Sequence, residues 1–86
     1  MWIRSQDMKS LVNVSDVHII SSYKVFGIYS GSIALGYYST EKNAIKVIDM
    51  IENAIIHYEI AIHNKNESFY RRNIIFYMPE DNVLLS

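Results

Sequence analysis

The stretch Ser39-Thr-Glu-Lys-Asn-Ala-Ile-Lys-Val-Ile-Asp-Met-Ile-Glu-Asn-Ala-Ile-Ile-His-Tyr-Glu-Ile-Ala-Ile-His63 decides how this 86-residue chain folds. Ser39 and Thr40 are both N-cap candidates, because either hydroxyl can accept a hydrogen bond from an unpaired first-turn amide. Glu41 complements the positive end of the helix dipole. Apolar residues recur at Ala44, Ile48, Ile51, Ile55, Tyr58 and Ile62, a sustained four-three spacing. Val47, Ala54 and Ala61 widen that face, and Lys42, Lys46, Asp49, Asn53 and His57 mark the opposite side. Ile45, Ile56 and Ile60 fall outside the seam. The stretch is therefore expected to be one long amphipathic helix with more apolar surface than a single sheet contact covers.

Its length sharpens that expectation. About 24 residues at 1.5 Å each span roughly 36 Å. A compact chain of this size has a radius of gyration near ~12 Å and a diameter of about 31 Å. The helix should overhang its own sheet from about Ile55 onward. A second copy of the chain is the simplest cover, through a symmetric helix–helix contact. Ile48, Ile51, Ile55, Tyr58 and Ile62 are the expected interface of a homo-oligomer, a dimer or higher. The alternatives are a helix break near His57 or a C-terminal strand folded over the seam.

Around the helix the sequence alternates as strands do. Met1 to Ser5 extends with Trp2 and Arg4 on one face and Ile3 on the other. Ser5 to Ser10 is a polar turn. Leu11 to Ile20 holds two apolar alternations, of which Val17 to Ser21 is the firmer strand, and Ser21-Ser22 reads as a connection. Tyr23 to Tyr29 and Ile33 to Tyr38 flank Ser30-Gly31-Ser32, the clearest hairpin, because glycine supplies the positive φ of a tight turn. Gly27 and Gly36 inside that hairpin are expected near each other across the ladder, either to let the helix pack closely or to admit a ligand. Asn64 to Ser68 is a polar loop, and Asn73 to Met78 a last strand stopped by Pro79. Residues 79–86 are expected as a loose tail with an apolar hook at Val83-Leu84-Leu85. The order βββ(β)αβ gives a single α+β domain, an antiparallel sheet of about four to five strands with one long helix.

Composition narrows the function classes. Half the residues are apolar and 20% are charged, as in a folded domain. The seven tyrosines suit either a half-buried sheet face or a binding surface. The net charge of −1 speaks against duplex nucleic acid, which needs clustered Lys and Arg. The chain has no cysteine, so it has no disulfide and no thiolate site. The opening residues lack the apolar core of a signal peptide. No apolar run approaches a membrane span.

Two polar groupings are candidate binding elements. Arg4-Ser5-Gln6-Asp7 beside Trp2 can grip a planar ligand, or its members can pair to fix the turn before Lys9. Phe69-Tyr70-Arg71-Arg72-Asn73 offers bidentate charge and a stacking face, suited to a phosphate-bearing base or an acidic partner. Its other reading is a solvated loop end. The candidate binding residues are thus Trp2, Arg4, Gln6, Asp7, Tyr70, Arg71 and Arg72. No catalytic set, metal site or cofactor is expected. His57 and His63 are six apart and lie on different helix faces, and Glu59 with His63 makes at most a surface pair.

The opening Met1-Trp2-Ile3-Arg4-Ser5-Gln6-Asp7, the segment from Leu35 to Ile51 and the late Phe76-Tyr77-Met78-Pro79-Glu80-Asp81 together carry a resemblance. They resemble a family of short proteins of Firmicute bacteria and their phages that share the Trp-Ile-Arg-Ser-Gln-Asp opening. Met8 stands where such proteins usually have Lys, and the Leu-Leu-Ser ending departs from their acidic finish. The resemblance implies a bacterial or phage origin and a small non-catalytic protein of the host cytoplasm. It carries no activity to transfer. The expectation is a phage or mobile-element accessory protein that binds and blocks a host protein. The alternative is an oligomeric anti-defence protein that sequesters a nucleotide-type signal.

Overall fold

The computed structural model describes the backbone of residues 1–63 and 75–84, and their side chains except at 58 and 60–63. In chain order the elements are β1 (Trp2–Arg4), β2 (Leu11–Asn13), β3 (His18–Ser22), β4 (Val25–Ser30), β5 (Ile33–Tyr38), α1 (Glu41–His63), β6 (Ile75–Tyr77) and a 3-10 turn at Asp81–Leu84. The fold is α+β with one long helix. The strands divide into two three-stranded sheets rather than one, in the orders β2-β1-β6 and β3-β4-β5. The polar interruption around Ser15-Asp16 is the physical reason: β2 folds back on β1, while residues 14–17 carry the chain across to the second sheet. β6 runs parallel to β1, in the register Ile3 to Phe76. A parallel pair needs a long crossover, and everything from β2 to α1 supplies it.

Local chemistry explains most element boundaries. Thr40 is the N-cap of α1, its Oγ1 accepting from the Asn43 amide at 3.0 Å. Gly31 takes φ +58° in the β4–β5 turn, as that tight turn requires. The β3–β4 turn is displaced from the expected Ser21-Ser22, which are strand residues. Tyr23 and Lys24 make it instead, at φ 47° and 65°. Two central residues of positive φ match the twist of the flanking strands. The strain of two non-glycine residues there is carried by the hairpin.

One core joins both sheets. Ile3 from β1, Ile28 from β4, Leu35 and Tyr38 from β5, Ala44, Val47 and Ile51 from α1, and Met78 and Leu84 form a single buried cluster. Leu35 is the extra residue of a β-bulge, since the register moves from Ile28–Gly36 to Tyr29–Ala34. The two strand glycines do not make room for the helix. A Cβ on Gly27 would stand 2.6 Å from the Tyr29 ring, and one on Gly36 3.1 Å from the Tyr38 hydroxyl. Both glycines accommodate aromatic side chains.

α1 outruns this core. Its 23 residues span about 35 Å, against principal extents of 45, 29 and 19 Å for the molecule. Its last buried residue among those described is Ile51, and Ala54 is half-buried. Ile51, expected at an oligomer interface, is only 2% exposed and belongs to the core of its own chain. Ile48 packs half-buried beside it, Ile55 is exposed, and the side chains of Tyr58 and Ile62 lie outside the described residues. Ile45 and Ile56 are exposed on the face opposite the core. Among the described residues no helix is long and apolar enough to cross a membrane.

The segment after Pro79 is not loose as far as it is described. Asp81–Leu84 turns back on α1, Lys46 Nζ donates to the Leu84 carbonyl at 3.3 Å, and Leu84 is 7% exposed. Leu84→Ala should therefore cost about 2–4 kcal/mol, read as a lower urea midpoint. A loss below about 0.5 kcal/mol would show that this turn does not complete the core.

Candidate functional site

The Trp-Ile-Arg-Ser-Gln-Asp opening occupies β1 and the turn after it, and its residues split between two tasks. Strand alternation sends Ile3 inward, with Val12 and Phe76 as its cross-strand neighbours. Trp2 and Arg4 face outward. The same registers place Asn13 and Ile75 beside Trp2, and Leu11 and Tyr77 beside Arg4. Trp2, Leu11 and Tyr77 are 41–56% exposed. The outer face of this sheet is thus a small aromatic and aliphatic surface around one arginine. Arg4 is half-buried in it, and one guanidinium nitrogen, Nη1, donates to the Met8 carbonyl at 3.0 Å. Its Nε is buried without a hydrogen-bond partner.

Gln6 and Asp7 point their polar atoms into the chain. Asp7 Oδ1 accepts from the Ser5 hydroxyl at 2.6 Å and from the Lys9 amide at 3.0 Å. The Ser5 hydroxyl in turn accepts from the Ser10 amide at 3.0 Å. These bonds lock the β1–β2 turn, in which Met8 has φ 68°. Gln6 leaves that turn and bonds to the far sheet. Its amide donates to the Leu35 carbonyl at 2.7 Å. Its side chain accepts from the Tyr37 amide at 3.0 Å and donates to the Tyr37 carbonyl at 3.2 Å, as a neighbouring strand would. Nε2 also donates to the Pro79 carbonyl at 3.1 Å, which accepts from the Tyr38 hydroxyl at 2.8 Å as well.

A shallow hollow of about 140 Å³ lies along this junction, lined by Gln6, Asp7 and Ala34 to Tyr37. Sites for drug-sized ligands run to roughly 300–1,000 Å³, so the hollow is too small to enclose a nucleotide. Tyr70, Arg71 and Arg72 lie outside the described residues. The opening motif therefore supplies two outward residues, Trp2 and Arg4, and two joining residues, Gln6 and Asp7. Leu11 and Tyr77 complete the outward face, and no local signal marks them. Only the pairing of three strands brings them beside Arg4.

The outer face of the other sheet is occupied by its own side chains. His18 stacks on Tyr29 with ring centroids 6.3 Å apart, and Tyr29 meets Tyr37 edge-on at 6.3 Å. The Tyr29 and Tyr37 hydroxyls are 3.4 Å apart. That hydrogen bond and the neighbouring phenol charge raise the Tyr37 pKa. Burial, then Asp81 and Glu80, raise that of Tyr38. Both phenols stay neutral over the physiological range. Among the described residues no group of three His, Cys, Asp or Glu is placed to hold a metal ion. Comparison with known proteins gives no match: no family model, curated protein or solved structure matches this chain.

Two outcomes follow from the joining bonds. Gln6→Ala removes three side-chain hydrogen bonds and should destabilise the fold by roughly 1–3 kcal/mol, measured by urea unfolding. Acid should act through Asp7 and Asp81. Hydrogen bonds from the Ser5 hydroxyl and the Lys9 amide lower Asp7, and those from Asn43 and Ser39 lower Asp81, below the ordinary 3.8. The unfolded chain then takes up protons first. Their contribution is complete above pH 3.8 and is lost as the pH falls through the folded values. Unfolding followed against pH should show this loss, reduced in Asp81→Asn. An acid profile identical in Asp81→Asn and the unaltered chain would remove Asp81 from this account.

Proposed function

We propose that this chain is a small non-enzymatic binding protein that docks on a protein partner and blocks it, using the outer face of the β2-β1-β6 sheet. One observation carries the reading: Trp2, Leu11 and Tyr77 surround Arg4 on an open sheet face, exposed rather than packed against their own chain. Tryptophan, tyrosine and arginine are the residues on which protein interfaces concentrate their binding energy. An arginine framed by aromatic and aliphatic groups suits a partner that presents an acidic side chain within an apolar patch, where the charge pair is partly desolvated. The resemblance to short phage and Firmicute proteins supports a bacterial partner. The outer face of β3-β4-β5 is less suited, because its aromatic rings already engage each other.

Trp2 is the single tryptophan of the chain and sits in the proposed face, so its fluorescence reports docking directly. The immobilised chain should retain a bacterial protein, and addition of that protein should shift Trp2 emission to shorter wavelength. Trp2→Ala with Tyr77→Ala should weaken retention at least tenfold, roughly the loss of one hot spot, with the circular dichroism spectrum unchanged. Ile45→Ala on the helix surface should not. Retention equal in all three forms overturns the choice of face. A nucleotide released on heat denaturation, with no protein retained, would favour sequestration of a signal molecule instead.

A further inference from the structure

The two edges of the β3-β4-β5 sheet are treated differently. At the β5 edge, Gln6 occupies the Leu35 carbonyl and both backbone groups of Tyr37. At the β3 edge, the sheet order places no strand among the described residues. β3 reads His18-Ile-Ile-Ser-Ser22, with no Lys, Pro or bulge of the kind that protects an edge from other chains. Ile20 is 45% exposed there.

The hairpin sets which backbone groups face outward. Ser22 and Val25 flank the two-residue turn and form its closing hydrogen-bonded pair. Antiparallel pairs alternate, so Ser22, Ile20 and His18 direct their amides and carbonyls to β4. Ile19 and Ser21 direct theirs to the open edge. A strand laid antiparallel along β3 therefore meets donors and acceptors at Ile19 and Ser21.

We infer that the occupant is a second copy of this chain, with β3 paired antiparallel to β3 about a two-fold axis at Ile20, making a continuous six-stranded sheet. In this register Ile19 faces Ser21 of the second copy, twice over, and the two residues exchange hydrogen bonds. Ile20 faces its own counterpart as a non-hydrogen-bonded pair, burying two exposed isoleucines. A register shifted by two residues instead pairs Ile19, which packs half-buried against the core, with itself, and sets Ile20 against His18. This inference concerns a different sheet from the proposed docking face, so either can fail without the other.

The chain contains no cysteine, which permits a direct test. Facing non-hydrogen-bonded residues have Cα atoms about 4.5 Å apart, within disulfide reach. Ile20→Cys should form an intermolecular disulfide on mild oxidation, and Ile45→Cys, exposed on α1, should not. In sedimentation the unaltered chain should run at twice its 10.0 kDa mass. Ser21→Pro removes an edge-facing amide without touching the β4 ladder, and should yield monomer with an unchanged circular dichroism spectrum. A monomer at hundreds of micromolar overturns the inference. So does a dimer that survives Ser21→Pro and dissociates on Ile55→Glu, which would place the contact on α1.

Discussion

Two short sheets can share one core only if the seam between them is closed, and the Gln6 side chain closes it. A carboxamide carries a donor and an acceptor in the same planar arrangement as a peptide group. Gln6 uses both on Tyr37, so the edge of β5 is satisfied as if by another strand. Its remaining donor capacity goes to the Pro79 carbonyl, which Tyr38 also holds. The opening motif, the hairpin and the segment after β6 therefore meet at one side chain. Asparagine would be a methylene short, and glutamate could not donate. The same bonds fix the exit of β1 and so hold Trp2 and Arg4 outward. They also block the β5 edge, which leaves β3 as the open edge of that sheet among the described residues.

The glycines and aromatics explain why the two outer faces differ. Gly27 leaves no side chain between the Tyr29 and Tyr37 rings, which settle across it and engage each other. Tyr29 is half-buried there, and Tyr37 keeps 49% of its surface exposed. On the other sheet the corresponding positions are Trp2, Arg4, Leu11 and Tyr77, with no glycine to let a ring lie flat. Their grouping around one arginine, Arg4, without ring–ring contacts among them like those of Tyr29 and Tyr37, makes this face the better candidate for a partner.

What was legible in the sequence was local. The helix, its Thr40 cap and the Gly31 hairpin depend on neighbours within a turn or two, and each stands where the pattern put it. The outward placement of Trp2 and Arg4 follows from strand alternation alone. The division into two sheets was not legible, because it depends on β6 returning to lie parallel beside β1 from the far end of the chain. Leu11 and Tyr77 join the candidate face only through that pairing. The Tyr23-Lys24 turn carries none of the Gly or Asn that usually announces two positive φ values. The apolar hook at Val83-Leu84-Leu85 was visible, but its destination was not. Leu84 reaches the core because the 3-10 turn lies against the first half of α1, where Asn43 donates to Asp81 at 3.0 Å.

These constraints bear on how an assembly would act. The first half of α1 is committed to its own core by Ala44, Val47 and Ile51, so a contact along that same face of the helix could draw only on positions from Ile55 onward. Pairing through β3 draws on none of the core. It also leaves the Trp2–Tyr77 face of each copy uncovered, because that face belongs to the other sheet. A dimer built this way presents two identical docking faces. For a partner that is itself oligomeric, the second docking event becomes intramolecular, and avidity can exceed single-site affinity by roughly 10²–10⁴ when the geometry permits both. A face of only a few large side chains gives modest affinity alone, because the entropy of association offsets much of the buried area. Duplication by an edge strand is a means by which so small a chain could hold a partner firmly.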